Sequence, residues 1–174
     1  MRRILISGLL STILLSCAGI STFQAYEGEA RSNMQVALLS GAQYLRQDLI
    51  NRYIDSVRFT RVDAIQVDSS REYDSVAVAP GFHDVTVYFY WDLGSTRGLA
   101  PALVSYAASR ETLSRTLRFN ALAGQSYTIH AQPVFNEGEE QRDITTMSHV
   151  DFWVEDRNGN EIVTRAQGRY IATQ

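Results

Sequence analysis

The hydrophobic and polar positions change period partway along the chain. Between residues 43 and 57, Leu45, Leu49, Ile50, Tyr53, Ile54 and Val57 recur at the three- and four-residue spacings of one helical stripe. This predicts a helix over 43–57 whose apolar face packs on the rest of the domain. From Arg61 onward the period is two. The segment 62–68, VDAIQVD, reads as a first strand, and 75–79, SVAVA, as a second, closed by the turn signal Pro80-Gly81. In 84–91, DVTVYFYW, Val85, Val87, Phe89 and Trp91 share one face and Thr86, Tyr88 and Tyr90 the other.

The alternation continues beyond an irregular Gly-, Ser- and Ala-rich stretch, 92–114, which reads as an insertion or as a loop with a short strand near Leu103–Tyr106. Leu117, Phe119 and Ala121 point inward, then Ala123-Gly124-Gln125 turns the chain into Tyr127, Ile129 and Ala131. After the polar loop 135–143, Val150, Phe152 and Val154 alternate against Asp151, Trp153 and Glu155. Asn158-Gly159 is a two-residue hairpin signal, with Ile162 and Val163 on the return strand. Short strands separated by turns, without alternating helices, predict a mainly β fold: an antiparallel sandwich or small barrel with one N-terminal helix packed on it.

The first residues follow a different rule. Met1-Arg2-Arg3 precedes an apolar run from Ile4 to Leu15, too short for a stable bilayer span of roughly 20 residues. The pattern is that of a secretory signal peptide, 1–16. It ends Leu14-Leu15-Ser16-Cys17, which resembles the lipobox of bacterial lipoproteins: aliphatic, small, cysteine. The resemblance implies that Cys17 carries a diacylglycerol on sulfur and, after cleavage, an acyl chain such as palmitate on nitrogen. More than one chain is needed for stable anchoring, at about 0.8 kcal/mol per buried methylene. Ala18, rather than Asp, follows Cys17, which by the same resemblance implies the outer membrane, periplasmic side. Residues 17–33 are then lipidated cysteine and tether, and 34–174 the domain.

Cys17 is the single cysteine, so no intrachain disulfide can form and the core alone must hold the exported domain. The formal net charge is −3, and removal of Arg2 and Arg3 makes the mature chain more acidic. An acidic domain with scattered arginines has no electrostatic reason to bind nucleic acid.

Candidate chemistry is sparse. His83 stands at a strand start, where a ring hydrogen bond to neighbouring backbone competes with a ligand or base role. His130 points outward, and His149 falls in a polar loop; the three show no metal-ligand spacing. Asp156, Asn158 and Asn160 mimic a calcium loop, but Gly159 is out of place and Gln167 stands where the loop needs Glu. The serines lack a G-x-S-x-G context, and Glu137, Glu139 and Glu140 read as a solvated loop. No cofactor is implied. Tyr88 and Tyr90 are covered if the predicted helix packs on them; exposed, they and Trp153 form a candidate surface for a protein or glycan.

Three stretches, VAVAPGFHDVTVYF, FNALAGQSYTIHA and DFWVEDRNGNEIV, together with VALLSG, resemble small Gram-negative envelope lipoproteins with a PEGA-like β-domain. The resemblance implies fold and location: turn glycines, inward aromatics and a strand-start histidine are structural. Two functions follow. One is a non-enzymatic, lipid-anchored binding or structural module. The other is a small-ligand binder or enzyme with a helix–sheet pocket near His83 or His130.

Overall fold

The computed structural model describes residues 22–47, 50–68, 75–92, 114–138 and 146–171. The signal peptide, Cys17, the stretch 93–113, and Glu139 and Glu140 lie outside them. Eleven strands follow in order: β1 (Thr22–Gln24), β2 (Ala37–Gly41), β3 (Gln43–Gln47), β4 (Arg52–Val62), β5 (Ile65–Gln66), β6 (Ser75–Val78), β7 (Gly81–Tyr90), β8 (Ser114–Ala121), β9 (Ser126–Phe135), β10 (Met147–Asp156) and β11 (Glu161–Ile171). They form two sheets. One has the order β1-β6-β2-β9-β10-β11; the other runs β3-β4-β7-β8, with β5 paired to β4. The first sheet is mixed rather than purely antiparallel, because β1 pairs with β6, and β2 with β9, in parallel.

One core lies between the sheets. Leu39, Ile129, Phe152 and Val154 from the first meet Val57, Val85, Val87, Phe89, Leu117 and Phe119 from the second. The period-two reading of β7, β8, β9 and β10 holds residue by residue, since every side chain assigned inward on those strands is buried. Each large side chain so buried contributes about 1.5–3 kcal/mol.

The helix over 43–57 is not present; β3 and the start of β4 occupy it. The described residues of the helical stripe are divided between the two sides of a β-hairpin, Leu45 and Ile54 outward and Tyr53 and Val57 inward. Leu45 pairs with Ile54, both exposed, while Tyr44 pairs with Asp55 and Arg46 with Tyr53 on the inward side. The inward set continues through Val57 and Phe59. A run of β-branched and aromatic residues from Tyr53 to Val62 favours an extended, half-buried strand over the helical spacing. The segment 62–68 also differs: Asp63 and Ala64 form a tight turn between β4 and β5, with Asp63 at φ +50°. Thr22–Gln24, read as tether, is the edge strand β1.

Short turns repeatedly carry the chain between sheets: β6 to β7 through Pro80-Gly81, and β8 to β9 through Ala123-Gly124. The crossing at Gly41–Ala42 is the tightest. The Ala42 amide donates to the Ile129 carbonyl (2.9 Å), and its carbonyl accepts from the Val57 amide (2.9 Å), so one residue belongs to both ladders. A Cβ on Gly41 would stand 2.0 Å from the Val57 oxygen, a distance that admits only glycine.

The register defines two ends. The turns at 63–64, 79–80, 122–125 and 157–160 lie at one. At the other lie the β3–β4 hairpin, the last residues of β7 and β9, and the first of β10.

Candidate contact face

Because Tyr127, Ile129 and Ala131 face the core, β9 turns Thr128, His130 and Gln132 to the outside. Trp153 on β10 is the register partner of His130. Their rings stack with centroids 5.0 Å apart and planes 12° from parallel. The Trp153 Nε1–H donates to Glu155 Oε1 at 2.7 Å, and His130 Nε2 lies 3.4 Å from Glu155 Oε2.

The third element of this face is a long bulge. Phe152 pairs with Gly168 and Val154 with Val163, so β11 places Thr164–Gln167 opposite the single residue Trp153. The Gln167 side chain closes the bulge by accepting from the Thr164 amide (2.9 Å) and hydroxyl (3.0 Å). At its re-entry, Gly168 is required, since a Cβ there would stand 2.0 Å from the Phe152 oxygen. The bulge brings Arg165 back over Trp153, with its guanidinium carbon 3.8 Å from the ring centre, and Arg165 also donates to Gln132 Oε1. Trp153 is left only 6% exposed. Asp151 extends the polar rim: Arg169 Nε donates to it at 2.9 Å, and His149 Nε2 lies 3.7 Å away. His149 is therefore a β10 residue, not a loop residue. Around one aromatic ring the face gathers planar donors and acceptors from Arg165, Gln132, Glu155 and His130, and a cation–π contact at an exposed site is worth about 0.5–1 kcal/mol.

The tyrosines are elsewhere. Tyr88 and Tyr90 lie on the outward side of β7, in the other sheet, so they and Trp153 occupy opposite outer faces and form no common surface. Tyr88 is 2% exposed, and Tyr90 lies 3.8 Å beneath the Arg58 guanidinium carbon. What covers this face is not the helix expected from the sequence. That helix therefore does not form a wall of a pocket near His83 or His130.

His83 is a pin between turns. Its Nδ1 lies 2.6 Å from Asp63 Oδ2 and its Nε2 lies 2.6 Å from the Ala79 carbonyl. Both partners are acceptors, and the ring is held between them. Asp63 also accepts from the Asp84 amide at 2.8 Å. Burial alone would raise the Asp63 carboxyl, but the Asp84 amide and the His83 ring outweigh it and hold Asp63 below the ordinary carboxylate range. A carboxyl depressed in the folded state stabilises fully above its unfolded pKa of about 3.9, and that contribution is lost as pH falls through the depressed value. Urea unfolding at pH 7 and pH 3 should therefore show a smaller acid loss in Asp63→Asn than in the parent. Asn tolerates the same positive φ. Equal losses would contradict the pin.

Asp156 is committed to its turn. Its carboxylate accepts from the Asn158 and Asn160 amides (2.8 and 2.9 Å) and from the Asn160 side chain (2.9 Å). These bonds hold its carboxyl below the ordinary range, the Asn160 side chain contributing most. With Gly159 at φ +81° and its amide donating to the Asp156 carbonyl at 3.0 Å, the loop is a three-residue one, 157–159, rather than the two-residue turn that Asn-Gly suggests. Among the described residues no group of three or more His, Cys, Asp or Glu could hold a metal ion. The bulge that presents Arg165 left no sequence signal beyond the out-of-phase run TRAQG.

No protein-family profile, curated protein or solved structure matches this chain.

Proposed function

We propose that the chain is a non-enzymatic module of the cell envelope, anchored to the outer membrane by acylated Cys17 and facing the periplasm, that holds a glycan or protein of the envelope against the β9–β10–β11 face. The observation that carries the binding reading is Arg165 lying over Trp153. The arginine sits on a bulge rather than in the ladder, and its contacts are surface ones of modest strength. A partner ring or chain can displace it, stack on Trp153 and take over the polar groups of Gln132 and Glu155. The charged start, apolar run and LLSC sequence support the address.

The chain has two tryptophans, Trp91 and Trp153. In a Trp91→Phe background, Trp153 alone reports on its surroundings. Titration with solubilised cell-wall glycan, or with detergent-extracted envelope proteins, should shift its emission saturably, and Gln132→Ala should weaken the response several-fold. An emission that neither fraction alters would remove this face from the proposal.

A further inference from the structure

The β3–β4 hairpin exposes three large apolar side chains: Leu45 (65%), Ile54 (53%) and Ile50 (90%). Leu45 and Ile54 are register partners on the outward side, and Ile50 stands in the connection between the strands. Most of the described large apolar residues are in the core; Met34, Phe82 and Leu122 are exposed near the turn-rich end, and this second cluster sits at a protruding tip.

The direction of β1 says what the occupant of this tip is. β1 begins at Thr22, whose neighbour in parallel register is Ser75; their hydroxyl oxygens are 2.9 Å apart. Val76 pairs with Leu39, so Thr22 stands level with about Ser40. From Thr22, β1 runs toward the turn-rich end, so the N-terminal side of Thr22 faces the β3–β4 end. Beyond Ser40 the chain continues through Ala42 into β3 in the same direction. Two contacts fix that direction: the Tyr44 hydroxyl accepts from the Ala131 amide at 2.8 Å, and Arg46 lies 4.3 Å from the Trp91 ring, which packs 5.8 Å from Phe135 at the end of β9. Beyond the crossing at Gly41–Ala42, the five residues of β3, at about 3.3 Å per residue, carry the hairpin roughly 16 Å further. Five residue steps separate Cys17 from Thr22, and a chain of that length spans at most about 18 Å.

We propose that the β3–β4 hairpin is a second membrane contact: Ile50, with Leu45 and Ile54, inserts into the apolar edge of the same bilayer that holds Cys17. The inference rests on the lipid anchor proposed above. A bilayer that holds Cys17 lies within about 18 Å of Thr22, a distance comparable to the reach of the hairpin on that side. The first sheet ends on this side in exposed Asn136 and Glu137, which favour water. The domain therefore leans onto its apolar hairpin. The contact is apolar, so zwitterionic lipid suffices.

The test uses the full-length protein, purified from membranes and reconstituted into phosphatidylcholine–phosphatidylethanolamine vesicles. With Cys17 acylated, an introduced cysteine is the sole thiol. A polarity-sensitive fluorophore is attached in Ile50→Cys and, at the opposite end, in Asn158→Cys. Both sites are exposed, so neither change disturbs the core. The label at 50 should shift to the blue, be quenched by brominated lipid and be shielded from aqueous iodide; the label at 158 should do none of these. A label at 50 as open to iodide as that at 158, in protein whose mass shows acylated Cys17, overturns the hairpin contact and leaves the anchor standing. An unmodified Cys17 overturns both.

Discussion

Asp55→Ala should lower the free energy of unfolding by about 3 kcal/mol, at the lower end of the range for removing one partner of a buried ion pair. Asp55 is 4% exposed. Its Oδ2 accepts from Arg46 Nε at 2.9 Å, and its Oδ1 from Arg46 Nη2 at 3.2 Å and from the Asp92 amide at 2.8 Å. The guanidinium lies 4.4 Å from the Tyr53 ring and 4.3 Å from Trp91, and Nη2 also donates to the Asp92 carbonyl at 2.6 Å. The pair thus closes one end of the core, with Asp92 Oδ2 accepting from the Ile54 amide at 2.9 Å. Alanine strands a cation between two aromatic rings and leaves the Asp92 amide without its acceptor, a loss of about 1–3 kcal/mol by itself. The partial exposure of Arg46 keeps the total from the upper end. Asp55→Asn, which keeps an acceptor and the shape, should cost about half as much. Urea denaturation at neutral pH checks both, and a cost under about 1 kcal/mol for alanine would show that the clamp is not a structural fastening.

The second large effect concerns location. Exported on a signal peptide cut at a small-x-small site, a Cys17→Ala protein should move from the membrane fraction to the soluble periplasmic one, while the parent stays with membranes after a high-salt wash. A single myristoyl chain binds with a constant of about 10⁴ M⁻¹, and each further chain multiplies it, so loss of all chains should be close to complete. Exposed Ile50, Leu45 and Ile54 alone bury too little to hold the protein through washing. Retention of Cys17→Ala on membranes would mean that something other than acylation holds the chain.

Much of the fold was legible because the positions that spacing assigns inward on β7, β8, β9 and β10 are all buried. Val85, Val87 and Phe89, like Leu117 and Phe119, could be assigned to the interior from spacing alone. The β3–β4 hairpin was not legible, because its outward residues are apolar too. When Leu45, Ile50 and Ile54 face solvent, a hairpin and an amphipathic helix share a spacing, and only the β-branched and aromatic run after Tyr53 separates them. The membrane-facing reading of that hairpin is the same fact seen from outside: apolar residues beyond those the core needs. The contact face was half legible. Trp153 and outward His130 were visible in the alternation, yet their register pairing, and the bulge that brings Arg165 onto them, depend on which strands adjoin. Tyr88 and Tyr90 were grouped with Trp153 because sequence does not reveal that β7 and β10 belong to different sheets. The Arg46–Asp55 clamp gave no signal, since its partners come from what looked like one helix.

The anchor is decided by the mass of the first tryptic peptide of the mature native protein. Cleavage after Arg31 releases Cys17–Arg31. The expected result is that peptide carrying a diacylglyceryl group and an added acyl chain, both absent from the Cys17→Ala protein. A Cys17–Arg31 peptide with a free thiol, or a mature chain that starts at another residue, would contradict it.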